Sequence, residues 1–179
     1  MIGLANTPVL ETERLILRAP TGDDWPAWRD FHLSDRAQYI GGGSQMTERN
    51  SWRAFGHVIG HWVMRGFGMF VITEKGGDAA LGITGPWFPA GWPEREVGWS
   101  IWHPAGEGRG IASEAARAAL DHVFNDLGWD TAVSYIDAEN TRSIALAERL
   151  GARLDADAPS LDTGADEINH VYRHRKGSA

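Results

Sequence analysis

Three observations predict an α/β fold whose sheet is antiparallel early in the chain and crosses over in parallel later. Residues 69–75, 80–87 and 96–103 are strand-like runs separated by turn signals at 76–78 and 89–93, the pattern of an antiparallel meander. The run at 96–103, a long amphipathic stretch and a further strand-like run at 131–136 give the strand, helix, strand order that parallel pairing requires. At their junction stand Gly106, Gly108 and Gly110, glycine at every second position leading straight into the helix.

The remaining elements follow in chain order. Residues 11–18 alternate and predict a first strand, and Thr21 to Asp24 signal a helix over 25–33. Residues 39–44, with three consecutive glycines, predict a flexible loop. Thr47 is placed to cap a second helix through Arg65, with Trp52, Phe55, Ile59, Trp62 and Val63 as its apolar stripe and Gly66 and Gly68 beyond it. After the glycines, Ala112, Ala115, Ala116, Ala119, Leu120, Val123, Phe124 and Leu127 fall at helical spacing and Gly128 stops the run. Ser113, Glu114, Arg117, Asp121, His122, Asn125 and Asp126 form its expected wet face. Asn140 opens a helix ending at Gly151, and 168–173 supply a last strand. At 179 residues and 42% hydrophobic, the chain is expected to form a single domain over 1–179.

The glycine run is an anion cradle in sequence form. Glycine lets backbone approach a bulky ligand, and the free N–H groups of the following helix start carry partial positive charge. A phosphate-binding P-loop would need Lys then Ser or Thr after the last glycine, where Ile111 and Ala112 stand. The dinucleotide fingerprint needs G-x-G-x-x-G, and the spacing here is G-x-G-x-G.

Composition narrows the partners. A formal net charge of −7 without a Lys or Arg cluster argues against nucleic-acid or anionic-membrane surfaces. No apolar run approaches the ~20 residues of a membrane span, and no signal-like N-terminus is present, so a cytoplasmic protein is expected. The absence of cysteine excludes disulfides, Cys-ligated zinc and a cysteinyl acyl intermediate. Of nine tryptophans, Trp87, Trp92, Trp99 and Trp102 lie in one short segment; packing accounts for most, a pocket wall for one or two. His57 and His61 stand one helical turn apart, but Val58 occupies the place of the glutamate that a zinc-protease motif needs, and no metal is expected. Residues 155–167 read as a solvated acidic loop, in which Asp162 and Asp166 are minor candidates for attracting an amine.

Two segments, 96–119 and 137–153, resemble the cofactor-binding motifs of the GNAT superfamily of N-acetyltransferases, in particular the Rim-type branch of ribosomal-protein acetyltransferases. The residues that carry the resemblance are Glu96-Val97-Gly98-Trp99, then Gly108 to Ala115, then Asn140 to Ser143 and on to Gly151; residues 11–18 are similar to the opening strand of that branch. The resemblance implies a mixed, mostly antiparallel central sheet with a splayed parallel strand pair, here 96–103 and 131–136, and helices on both faces. It implies acetyl-CoA as co-substrate, with the pyrophosphate at Gly106, Gly108, Arg109, Gly110, Ile111, Ala112 and Ser113, and the pantetheine and thioester at the backbone of Ser100, Ile101 and Trp102 and at Asn140 and Ser143. The implied reaction is acetyl transfer to a primary amine, of a small molecule or a protein N-terminus, by direct transfer in a ternary complex. The resemblance is compatible with a homodimer.

An attacking amine must shed a proton, and Glu96 is the leading base, with His103 and Glu107 behind it. By resemblance, the tyrosine acid of many members falls at Ala147, and Ser143, three residues after Asn140, takes the acid role, while Asn140 also suits a helix N-cap. Ala105 replaces a Gln or Arg common at the cradle's opening, leaving Arg109 and Arg142 to supply charge. The alternative function is a non-catalytic acyl-CoA-binding or interaction module.

Overall fold

The computed structural model describes residues 3–161 and 169–177. Its frame is one eight-stranded sheet in the order β1-β2-β3-β4-β5-β6-β8-β7. The strands are β1 (Leu10–Glu11), β2 (Leu15–Arg18), β3 (Phe70–Glu74), β4 (Gly82–Trp87), β5 (Glu96–Ile101), β6 (Thr131–Asp137), β7 (Arg153–Leu154) and β8 (Asn169–Arg175). Every neighbouring pair is antiparallel except β5 with β6. The helices are α1 (Trp25–His32), α2 (Glu48–Arg65), α3 (Ile111–Asn125) and α4 (Thr141–Arg149). No described helix is long and apolar enough to cross a membrane.

Period-two alternation sorts the sheet's side chains onto two faces. Val71 and Ile83 pack with Trp28, Phe55 and Val58 of α1 and α2, while Leu15, Leu17, Phe70 and Ile72 pack with Ile111 and Ala115 of α3. Val97 and Ala132 join the α3 face with Ala116, Ala119 and Val123, whose small side chains let the helix sit close to the parallel pair.

Several expectations are corrected. The first strand is two: Thr12 N–H donates to the Leu15 carbonyl and the Thr12 hydroxyl accepts from Leu15 N–H, turning the chain between β1 and β2. The apolar stripe of α2 is rotated, because Ser51, Phe55, Val58, His61 and Trp62 are buried whereas Trp52 and Val63 are 59% and 74% exposed. Polar residues win those positions because their groups are paired: Ser51 hydroxyl with His32 at 3.0 Å, and both His61 ring nitrogens with backbone at 2.9 Å. His122 of α3 is buried rather than wet, with its Nδ1 2.7 Å from the Asp126 carboxylate. The glycine loop is anchored at two points: Gly43 N–H donates to the His32 carbonyl, and a Cβ on Gly42 would sit 2.5 Å from that of Ala37. Residue 168 lies outside the described residues.

The pairing of β5 with β6 is brief. Glu96 opposes Val133, Val133 N–H donates to the Arg95 carbonyl at 2.9 Å, and beyond that the two strands part. Separation would strand the buried Val97 carbonyl, and the Ser134 hydroxyl donates to it at 2.7 Å. With its one proton so used, Ser134 accepts from His174 Nε2–H at 3.0 Å, and burial pushes the His174 imidazole down to about 4, keeping it neutral. Replacing Ser134 by Ala leaves both the Val97 carbonyl and the His174 N–H without partners, and is expected to cost about 1–3 kcal/mol in urea unfolding.

Candidate active site

Where β5 and β6 separate, a cavity of about 540 Å³ runs from Trp87, Trp92 and Glu96 through the gap to Asn140 and Ser143. Backbone polar groups alternate in direction along β5. Arg95 and Val97 carbonyls point toward β6, whereas Trp102 N–H donates to the Leu81 carbonyl on the β4 side at 2.7 Å. The same alternation turns the groups of Trp99 and Ile101 toward the gap and those of Ser100 and Trp102 toward β4. Of the three residues expected to offer N–H donors, Ile101 faces the gap and Ser100 and Trp102 face β4; Trp99 also faces the gap. Trp102 instead packs in the core with Trp28, while Trp87, Trp92 and Trp99 line the cavity.

At one mouth of the gap lies the glycine cradle. Gly108 and Gly110 adopt φ of 70° and 76°, the left-handed region that side chains resist, and Gly110 is the N-cap of α3. The first hydrogen bond of the helix runs from Glu114 N–H to the Gly110 carbonyl, so the N–H groups of Ile111, Ala112 and Ser113 precede the ladder. Gly106 is buried, and a Cβ there would come within 3.0 Å of Ile101 Cγ2. These features fit a pyrophosphate. Ile111 contributes backbone only, since its side chain is buried in the core. Thr12 and Arg14 both bind the Glu114 carboxylate, tying the first turn of α3 to the turn between β1 and β2.

Cradle side chains are less free than expected. Arg109 pairs with Glu74 at 2.6 Å and donates to the Ala105 carbonyl. Arg142, 88% exposed, reaches the Glu107 carboxylate at 3.3 Å, and the other oxygen of Glu107 holds Arg36. Arg36 also donates to the carbonyls of Ile101 and Trp102, which places a cation at the lip of the gap. Glu107 is thus held in an ion pair with both arginines. His103 is exposed, and its Nδ1 accepts from Ala105 N–H.

Glu96 opens β5 on the face opposite Val97. Its carboxylate accepts from Trp92 Nε1–H at 2.7 Å and from Tyr135 N–H, yet the surrounding protein withdraws enough water to push its pKa up to about 7. Tyr135, raised to about 12 by burial and by the Glu94 and Glu96 carboxylates, stays a neutral phenol. Across the gap, Asn140 caps α4 by accepting from Ser143 N–H. Ser143 Oγ accepts from Trp99 Nε1–H at 3.3 Å, which leaves its own proton for donation into the cavity. Ala147 is fully buried.

Sequence reading missed Ser134, His174, Arg36 and Arg173. Ser134 sits between the core-facing Ala132 and Ile136, a buried polar position that demanded a partner. Arg173 of β8 joins Glu94 and Asp155, pinning the residues just before β5, so Asp155 is paired rather than merely solvated. Asp162 and Asp166 lie outside the described residues. No cluster of residues suited to a metal occurs among the described residues, and His61 keeps both ring nitrogens on backbone.

A sheet with one parted parallel pair, a glycine cradle at its mouth and a carboxylate within it defines a GNAT-type acyltransferase site. Residues 14–153 match the acetyltransferase (GNAT) domain family, and the chain belongs to that family. It is 36% identical to an acetyltransferase from Agrobacterium tumefaciens str. C58, covering 98% of this chain and 99% of that one at a TM-score of 0.86. A GNAT-family acetyltransferase of Bacillus anthracis matches at 24% identity, 93% and 96% coverage and a TM-score of 0.73. RimL, a ribosomal-protein acetyltransferase in complex with coenzyme A, shares the fold at 20% identity, 94% and 98% coverage and a TM-score of 0.72. Membership implies acetyl transfer from acetyl-CoA.

Glu107 competes with any phosphate for Arg36 and Arg142. Glu107→Gln is expected to tighten acetyl-CoA binding by roughly 3- to 10-fold at low salt, with the gain shrinking as salt rises, in calorimetric titrations.

Proposed function

We propose that this chain, acting as one domain, transfers an acetyl group from acetyl-CoA to a primary amine by direct attack in a ternary complex. The observation that carries the reading is the placement of the Glu96 carboxylate, poised near pH 7, and the Ser143 hydroxyl in one cavity with the backbone of Trp99 and Ile101 turned into the gap.

Acetyl-CoA supplies an activated acyl carbon and a thiolate leaving group. Glu96 removes the amine proton, directly or through one water, as the C–N bond forms. Backbone N–H groups of Trp99 and Ile101 stabilise charge building on the thioester oxygen. Ser143 donates its proton to the departing sulfur as the C–S bond breaks, and its accepted bond from Trp99 orients it. The cradle N–H groups of Ile111 to Ser113 hold the pyrophosphate, and Arg142 and Arg36 lie within reach of that mouth.

Because the base must be ionised, kcat/KM for the amine is expected to fall as pH drops below about 7. Glu96→Gln is expected to remove that limb and lower kcat/KM by roughly 10²- to 10⁴-fold in steady-state assays. The same substitution has the opposite effect on folding. A carboxyl whose folded pKa exceeds its unfolded value costs stability progressively from about pH 4.5 to 7, so Glu96→Gln is expected to gain about 3 kcal/mol at pH 8 in urea unfolding. Ser143→Ala is expected to lower kcat by roughly 10²-fold with little change in acetyl-CoA affinity. Turnover unchanged in both variants would overturn these roles.

A further inference from the structure

The chemistry of the cavity on the Glu96 side restricts the amine. Its wall combines Tyr39, Ile40, Met69, Trp87 and Trp92, so any body attached to the amine meets apolar and aromatic surface. Glu96 and Asp137 are the charged side chains among its described lining residues, both acidic, and no lysine or arginine lines it. The imidazole of His32 is held toward its neutral form by burial, and His57 lies against Trp87 with ring centroids 4.9 Å apart.

Nearby cations are committed elsewhere. Arg36 and Arg142 share Glu107, Arg173 holds Glu94 and Asp155, Arg65 lies over Phe88 and Arg95 over Trp129. Among the described residues, the buried polar atoms left without a partner on this wall are the Tyr135 hydroxyl and the Asn169 amide nitrogen, both neutral. An ammonium is therefore welcome at Glu96 and among the aromatic faces, whereas a carboxylate would face Glu96 with nothing to balance it.

From this we infer, resting on the acetyltransferase reading above, that the acceptor is a hydrophobic primary amine, such as an arylalkylamine, without a carboxylate. Glu96 passes the first proton of the ammonium to solvent and takes the second as the C–N bond forms, so the products are the N-acetyl amide, the coenzyme A thiol and one released proton.

The test compares initial rates of thiol release from acetyl-CoA with tryptamine, phenethylamine, tryptophan, spermidine and a short peptide with a free N-terminus. Tryptamine and phenethylamine are expected to exceed tryptophan and spermidine in kcat/KM by roughly 100-fold. Ile40→Arg, at a partly exposed position on the wall, is expected to narrow the gap between tryptamine and tryptophan by about tenfold by supplying the missing cation. Tryptophan, spermidine or the peptide matching tryptamine would overturn the inference, as would an unchanged gap in the variant. Acetyl-CoA binding by calorimetry without turnover of either arylalkylamine overturns the acceptor class and leaves the acetyltransferase reading standing. Absence of acetyl-CoA binding overturns both.

Discussion

The parting of β5 from β6 is the constraint on which the remaining architecture depends. A sheet normally satisfies backbone groups by pairing them, and this one abandons pairing in its interior after a single opposed pair, Glu96 with Val133. Each group released must then be answered individually. Ser134 answers for the Val97 carbonyl and Arg36 for the Ile101 carbonyl, and the remaining N–H groups are those proposed to act on the thioester. Binding capacity here is unsatisfied hydrogen-bonding capacity, kept open because the flanking antiparallel pairs, β4 with β5 and β6 with β8, are continuous and hold the two walls apart.

The two mouths of the gap differ in physical character. On the cradle side the attraction comes from backbone dipoles and from arginines held by Glu107, a polar and wet arrangement suited to phosphate. Near Glu96 the wall is aromatic, and the carboxylate has few water neighbours, which is what lifts its affinity for a proton. A bridge from Arg173 to Glu94 fixes the chain immediately before that carboxylate, so the position of Glu96 is set from β8 as well as from its own strand.

How much of this was legible in the sequence depended on the range of the interaction. The glycine run, the Asn140 cap and the strand order are local patterns, and the helix starts at Ile111 and after Asn140 follow them. The stripe of α2 misled because hydrophobicity ranks Trp52 and Val63 above Ser51 and His61, while the fold satisfied the polar pair and left the apolar pair outside. Donor direction along β5 depends on which neighbour each residue pairs with, which residue type does not encode. Ser134 with His174, Arg36 with Glu107 and Arg173 with Glu94 join residues 40, 71 and 79 positions apart, and periodicity carries no information at that distance.

The donor proposed for the leaving sulfur, Ser143, is a hydroxyl, and the chain contains no cysteine at all. Acetyl transfer liberates a thiol, the one product capable of exchanging into a protein disulfide. In a chain without cysteine that side reaction has no protein partner, whatever the thiol–disulfide poise of the surrounding solution.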